Sequence, residues 1–112
     1  MICYDGCFPE PARELVKRGA EVLAGPVWGC HPLLARARGC ENNFYQVSST
    51  YSDPSLNWML SAVYDRSGEP IAQAKERGTL AMAEVALNQR PMWTQLGDFG
   101  AKLPRHRPGV RD

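Results

Sequence analysis

The chain has 112 residues, 44% of them hydrophobic and 22% charged, with a formal net charge of +1 at pH 7. That length fits one small domain or part of a larger one, and that composition excludes a disordered chain. The near-neutral balance exerts no general pull on nucleic acid or an anionic membrane, and no apolar run approaches the roughly 20 residues of a membrane span.

Met1 leads directly into polar and acidic residues, so no secretory leader is expected and a reducing, cytoplasmic setting follows. The four cysteines, Cys3, Cys7, Cys30 and Cys40, form no C-x-x-C pair. A zinc set of Cys3, Cys7, Cys30 and His31 fits no common ligand spacing. Free thiols and no metal are the expectation.

In chain order, the first predicted element is a helix over 9–18. Pro9 and Pro11 suit its first turn, where amide protons have no partner. Ala12, Leu15 and Val16 share a face, Glu10 and Lys17 complement the macrodipole, and Glu14 stands four residues before Arg18. Gly19 is the expected C-terminal cap. A short strand over 20–24 follows, ended by Gly25-Pro26. A second helix over 31–42 would bury Leu33, Leu34, Ala37 and Cys40. Residues 44–49 read as a strand and 50–57 as a polar loop. Residues 59–65 and 71–75 read as a hairpin around the turn chemistry of 66–70. A further strand is predicted over 79–87, and 88–112 reads as an irregular tail rich in proline, glycine and basic residues. The order α, β, α, then mostly β implies an α/β layered fold. One sheet would carry two helices on one face, with the other face bare.

Met1 and Ile2 read as the end of a strand before the first helix, which puts Cys3 at the corner between them. A side chain there is held rigidly, near backbone amides able to stabilise an oxyanion. A helix N-terminus nearby favours the thiolate. From position alone, a packed and inert thiol is the competing reading.

The segment Ile2-Cys3-Tyr4-Asp5-x-x-Phe8-Pro9-Glu10 resembles the signature around the catalytic cysteine of the nitrilase superfamily, the carbon–nitrogen hydrolases. "ARELVKRGAEVLAGP" looks like the helix and strand that follow it. "ARARGCENNFYQVSS" is similar to the family's Arg-Ala-Arg-x-x-Glu-Asn segment, "SAVYDRSGEPIAQAKE" to its hairpin, and "LGDFGAKLPRHRP" to the C-terminal tail of many members. Four segments in the right order cover nearly the whole chain.

The resemblance implies part of an α-β-β-α sandwich, with residues 1–112 as the C-terminal portion of one longer domain whose N-terminal half is missing. It implies Cys3 as the nucleophile, the Tyr4 backbone amide as an oxyanion donor, and amide or carbamoyl substrates, because Cys-Tyr-Asp looks amidase-like. The family's glutamate and lysine lie upstream of the cysteine, and neither maps onto any residue here. The chain is therefore expected to be inactive alone. Trp28 and His31 are expected to shape the substrate pocket, with a packed indole and a helix-entry histidine as the alternative. Glu10 and Glu41 are expected near the site in structural roles. Cys7 stands where the family often has arginine, and is expected to pack under the helix.

The resemblance further implies no cofactor and a homo-oligomer. The basic tail residues Lys102, Arg105, His106, Arg107 and Arg111 lack the aromatic interleaving of a nucleic-acid site. They are expected to pack on a partner subunit. Two other functions stand beside the enzyme: a non-catalytic interaction module, and a small thiol or redox protein using Cys3 and Cys7.

Overall fold

The structure, a computed structural model, describes residues 1–56 and 58–109. Helix α1 spans Pro9–Lys17 with both prolines in its first turn. Arg18 bonds back to Glu14, and Gly19 follows at φ +94°, a conformation that favours glycine. Strand β1, Val22–Pro26, leads to helix α2, Pro32–Asn42, and then to β2, Tyr45–Ser49. Strands β3, Ala62–Tyr64, and β4, Pro70–Gln73, complete a sheet of order β1-β2-β3-β4. The β1–β2 pair is parallel, as a helical crossover requires, and the other two pairs are antiparallel.

Register separates the two faces of the sheet. Leu23 lies beside Gln46 and Tyr64, and Gly25 beside Ser48 and Ala62. This face carries the helices. Ala12 of α1 packs on Leu23 and Phe44, and Ala35 of α2 packs on Cys30, Ala62 and Tyr64. The opposite face presents Ala24, Val47, Val63 and Ala72 in one row across all four strands. Val22 and Val47 are exposed there, while Tyr45 and Val63 are covered. The expected α/β layering, with helices on one face, is observed.

Several elements depart from the sequence reading. The first strand continues through Gly25-Pro26, because β1 is an edge strand where a proline costs no ladder bond. The 59–65 strand shrinks to β3 plus one bridge between Cys30 and Met59. Side chains replace its ladder there, since the Thr50 amide donates to Ser61 Oγ at 3.0 Å and Thr50 Oγ1 to the Met59 carbonyl at 3.0 Å.

Helix α2 buries Ala35, Arg38, Gly39 and Asn42, whereas Leu33 and Ala37 face outward. The reason is close approach. A Cβ on Gly39 would stand 3.2 Å from the Asp65 carbonyl oxygen, so the hairpin turn seats directly on the helix. Arg38 spans the same face, giving Nη1 to Glu41 at 2.9 Å and Nη2 to the Cys7 carbonyl at 3.3 Å.

Residues 79–87 form no strand, and Leu80 and Met82 are exposed. The segment instead touches the sheet through single bonds. Tyr45 Oη donates to the Ala86 carbonyl at 3.2 Å, and Arg66 Nη1 to the Gln89 carbonyl at 2.9 Å.

The expected irregular tail contains a hairpin, β5 Met92–Trp93 with β6 Gly97–Asp98, and then helix α3, Phe99–His106. Asp98 caps α3 by accepting from the Ala101 amide at 3.0 Å, and it pairs with Arg90 at 2.8 Å. Those bonds hold its carboxyl below the ordinary range, the Arg90 hydrogen bond contributing most. Arg107 returns to its own chain, donating to Asn42 Oδ1 at 2.8 Å. Lys102 donates to the Leu96 carbonyl, Arg105 and His106 are exposed, and Arg111 lies outside the described residues. Among the described residues no helix is long and apolar enough to cross a membrane.

Candidate active site

Cys3 opens a 3-10 turn, Cys3–Cys7, and it is one of two non-glycine residues with positive φ among the described residues, at +48°. For a residue with a Cβ this conformation costs about 1–2 kcal/mol. Neighbouring bonds hold it there. The Ile2 amide donates to Asp5 Oδ2 at 2.9 Å, and the Asp5 amide returns to the Ile2 carbonyl at 3.1 Å. The far end of the turn is fixed to α2 through the Arg38–Cys7 bond. Tyr4 packs edge-on against Phe8, with ring centres 5.1 Å apart. A strained residue fixed on both sides by hydrogen bonds is a recurrent feature of functional sites.

Cys3 is exposed and borders a cleft of about 240 Å³. The structure brings Cys3, Tyr4, Trp28 and His31 to this one cleft. Trp28 meets Trp58 edge-on at 6.1 Å, and His31 meets the same indole at 6.1 Å. Gly29 makes room for that indole, because a Cβ there would stand 2.8 Å from Trp58 Cδ2. The Cys30–Met59 bridge delivers Trp58 to the cleft.

Glu10 and Glu41 do not line the cleft. Glu10 is exposed in the first turn of α1. Glu41 bonds Arg38 at 2.9 Å and stands 3.6 Å from Arg13. Cys7 is exposed and borders the cleft rather than packing under the helix, because the 3-10 turn ends at Cys7 and turns its side chain outward.

Beneath the cleft, Cys30 Sγ lies 3.9 Å from Tyr64 Oη. Burial pushes the Cys30 thiol up, and burial together with the neighbouring thiol pushes the Tyr64 phenol up. Both groups stay neutral at ordinary pH. Cys3, Cys7, Cys30 and His31 all border the cleft, yet no group of three His, Cys, Asp or Glu among the described residues could hold a metal ion. Trp58 and Gln46 also line the cleft, and sequence reasoning missed both. Trp58 borders a polar loop in the sequence, and an aromatic residue at such a place was the available signal.

A cysteine on a strained turn, opening on an apolar cleft at the helix-covered edge of a mixed sheet, defines a thiol-bearing α/β protein. The sequence model of the carbon-nitrogen hydrolase family matches residues 1–95, and the chain belongs to that family. It is 35% identical over 98 residues to the deaminated glutathione amidase of Bos taurus, covering 78% of this chain and 30% of that protein. Among solved structures, the Caenorhabditis elegans NitFhit protein superposes with a TM-score of 0.67 at 34% identity, over 77% of this chain and 24% of that one. An amidase from Nesterenkonia sp. AN1, solved as the E41Q mutant with an acetamide moiety added covalently at its active-site cysteine, gives 0.56 at 26% identity, over 66% of this chain and 32% of that one. The chain spans from 20% to 49% of the length of the curated relatives it matches.

Proposed function

We propose that residues 1–112 are the nucleophile-bearing, C-terminal portion of a carbon–nitrogen hydrolase domain that cleaves small amide or carbamoyl substrates through a thioester. The observation that carries this reading is the exposed Cys3 thiol, held at positive φ on the rim of the cleft. The covalent adduct at the active-site cysteine of the Nesterenkonia amidase supports it, since that enzyme shares the fold of this chain.

In this reaction the Cys3 thiolate adds to the carbonyl carbon, and the C=O pair moves onto oxygen, where the Tyr4 amide donates to it. The tetrahedral intermediate collapses, the C–N bond breaks, and the nitrogen leaves as ammonia with a proton from a general acid. Water then adds to the thioester, the C–S bond breaks, and the acid departs while the thiolate returns. Trp28, His31 and Trp58 enclose the acyl group. The proton carrier and a second oxyanion donor are the family's glutamate and lysine, supplied from outside residues 1–112. A reducing, cytoplasmic setting accompanies this reading, because the chemistry needs a free thiol, and assembly into homo-oligomers is carried over with it from the family resemblance alone.

The test is ammonia release over a panel of primary amides. Residues 1–112 alone should release none. A protein that adds a glutamate and a lysine N-terminal to Cys3 in family context should turn over, and Cys3→Ala should lower its kcat by at least about 10⁴-fold, the scale on which one member of a catalytic unit is lost. Turnover that survives Cys3→Ala overturns the assignment. Ordinary turnover by residues 1–112 alone removes the need for the outside groups.

A further inference from the structure

The segment Arg36-Ala37-Arg38-Gly39-Cys40-Glu41-Asn42 of α2 has no part in the reaction above, yet its two arginines hold different turns of the molecule. Arg36 serves the β3–β4 hairpin, donating Nε to the Gly68 carbonyl at 3.0 Å and Nη2 to Glu69 at 2.6 Å. Arg38 serves the Cys3–Cys7 turn. It is 7% exposed, and its fork reaches two acceptors, the Cys7 carbonyl through Nη2 at 3.3 Å and Glu41 through Nη1 at 2.9 Å. The bonds of the turn are of two kinds. Those from the Ile2, Asp5 and Phe8 amides begin and end within residues 2–8, so they set its shape. Among the described residues, the Arg38–Cys7 bond is the one hydrogen bond that joins residues 2–7 to a distant element, so it sets the turn's place.

We propose that Arg38 is a positioning residue for Cys3. Aimed by Glu41, its guanidinium seats the nucleophile-bearing turn on α2, and it acts through the Cys7 carbonyl rather than on the substrate. The chemistry of the side chain fits this task. A planar guanidinium addresses two acceptors at a fixed angle, whereas a lysine ammonium is a point charge on a flexible stem. A buried cation also needs its carboxylate, and Glu41 stands three residues on along the same helix, where the two side chains meet. Arg13 of α1 lies 3.6 Å from the same carboxylate, which ties the helix after the turn into the network. Placement matters because a misplacement of about 1 Å costs on the order of a hundredfold in rate. The inference rests on the amide-hydrolase reading above for what the turn is placed to do. The bonds themselves lie wholly within this chain.

The experiment is hydrogen exchange read by peptide mass spectrometry on the full chain. The Asp5 and Phe8 amides report the turn, and peptides from α2 and β2 report the body. Arg38→Lys keeps the cation beside Glu41 and gives up the second acceptor. It should speed exchange at Asp5 and Phe8 by about tenfold or more, the worth of one hydrogen bond from a charged donor, with α2 and β2 at wild-type rates. Glu41→Ala, at a partly exposed position, should speed the same two amides severalfold by freeing the aim of Arg38. Arg36→Lys should leave them unchanged, since its bonds go to the hairpin. In the longer protein used for the amide test, Arg38→Lys should lower kcat by about tenfold to a hundredfold with KM within about twofold. Wild-type Asp5 and Phe8 amides that exchange as fast as a free peptide overturn the proposal without recourse to any variant. So does a turn left unmoved by Arg38→Lys and Glu41→Ala, or an acceleration spread equally over α2 and β2, which makes Arg38 a general structural residue. Turnover that survives Cys3→Ala sinks the amide-hydrolase reading instead, while exchange at the turn still decides the role of Arg38.

Discussion

Cys3, Cys30 and Cys40 differ in environment more than in sequence context. Cys3 is exposed beside the start of α1, whereas Cys30 is buried under the cleft and its thiol is pushed up chiefly by desolvation. Cys40 is raised as well, by burial first and then by Glu41, Asp65 and Glu69. The thiolate is the nucleophile, so alkylation at neutral pH should label Cys3 well before Cys30 and Cys40. Time- and pH-resolved iodoacetamide labelling checks this, and Cys30 labelling first would refute it. The sign for stability follows from the same shift. A raised folded value favours the native state below the unfolded value of 9.0, and that contribution is lost as pH climbs through the folded value. Denaturant midpoints should therefore fall above pH 9 in the wild type, and less in Cys30→Ala once its lower baseline is subtracted. At this scale the sequence was informative wherever a motif fixed the backbone. The turn around Cys3 and the helix entry at His31 are local, and both reach the cleft. Gln46 was not legible, because its place in the wall depends on the β1–β2 register, which no local pattern carries.

The hairpin turn between β3 and β4 shows how one element is seated on another. Asp65 Oδ1 accepts from the Ser67 and Glu69 amides at 2.9 and 3.0 Å, and Gly68 adopts φ +83°. A Cβ at Gly68 would stand 2.5 Å from the Arg36 carbonyl oxygen, so the turn lies directly on α2. Gly78 has a similar φ of +77° with nothing within 4 Å, and it isolates the conformational part of the cost. Gly78→Ala should lower stability by about 1 kcal/mol, and Gly68→Ala by about 2–4 kcal/mol, since backbone must also shift. Urea unfolding of both variants tests the difference, and equal losses would show that the contact with α2 contributes nothing. The existence of this turn was legible in Ser67-Gly68-Glu69-Pro70. Which face of α2 received it was not, because the apolar pattern pointed to Leu33 and Ala37 while close approach at Gly39 decided the packing. The same limit applies to 79–87, whose apolar residues read as a strand although the sheet ends at β4.

For the whole molecule, the two faces of the sheet are unequal. The helix-covered face contains both buried clusters, whereas the opposite face presents Val22 at 43% and Val47 at 39% exposure, with Ala24 also exposed between them in the register. Segment 79–90 covers only part of that face, at Tyr45 and Arg66. Contiguous exposed apolar surface on a sheet is a site of association. The chain in isolation should therefore bind a hydrophobic dye and sediment as a concentration-dependent oligomer. Val47→Lys, in the centre of the exposed row, should weaken both effects by placing a charge where a second layer would pack, with little change in circular dichroism because the residue is already partly in water. Leu80→Lys serves as the comparison, since Leu80 is more exposed, at 85%, but lies off the sheet. If Leu80→Lys abolishes dye binding and association while Val47→Lys leaves them intact, the extended segment rather than the sheet face is the adhesive surface. A monomeric wild-type chain that unfolds cooperatively and binds no dye would show that the face is stable in water as it stands.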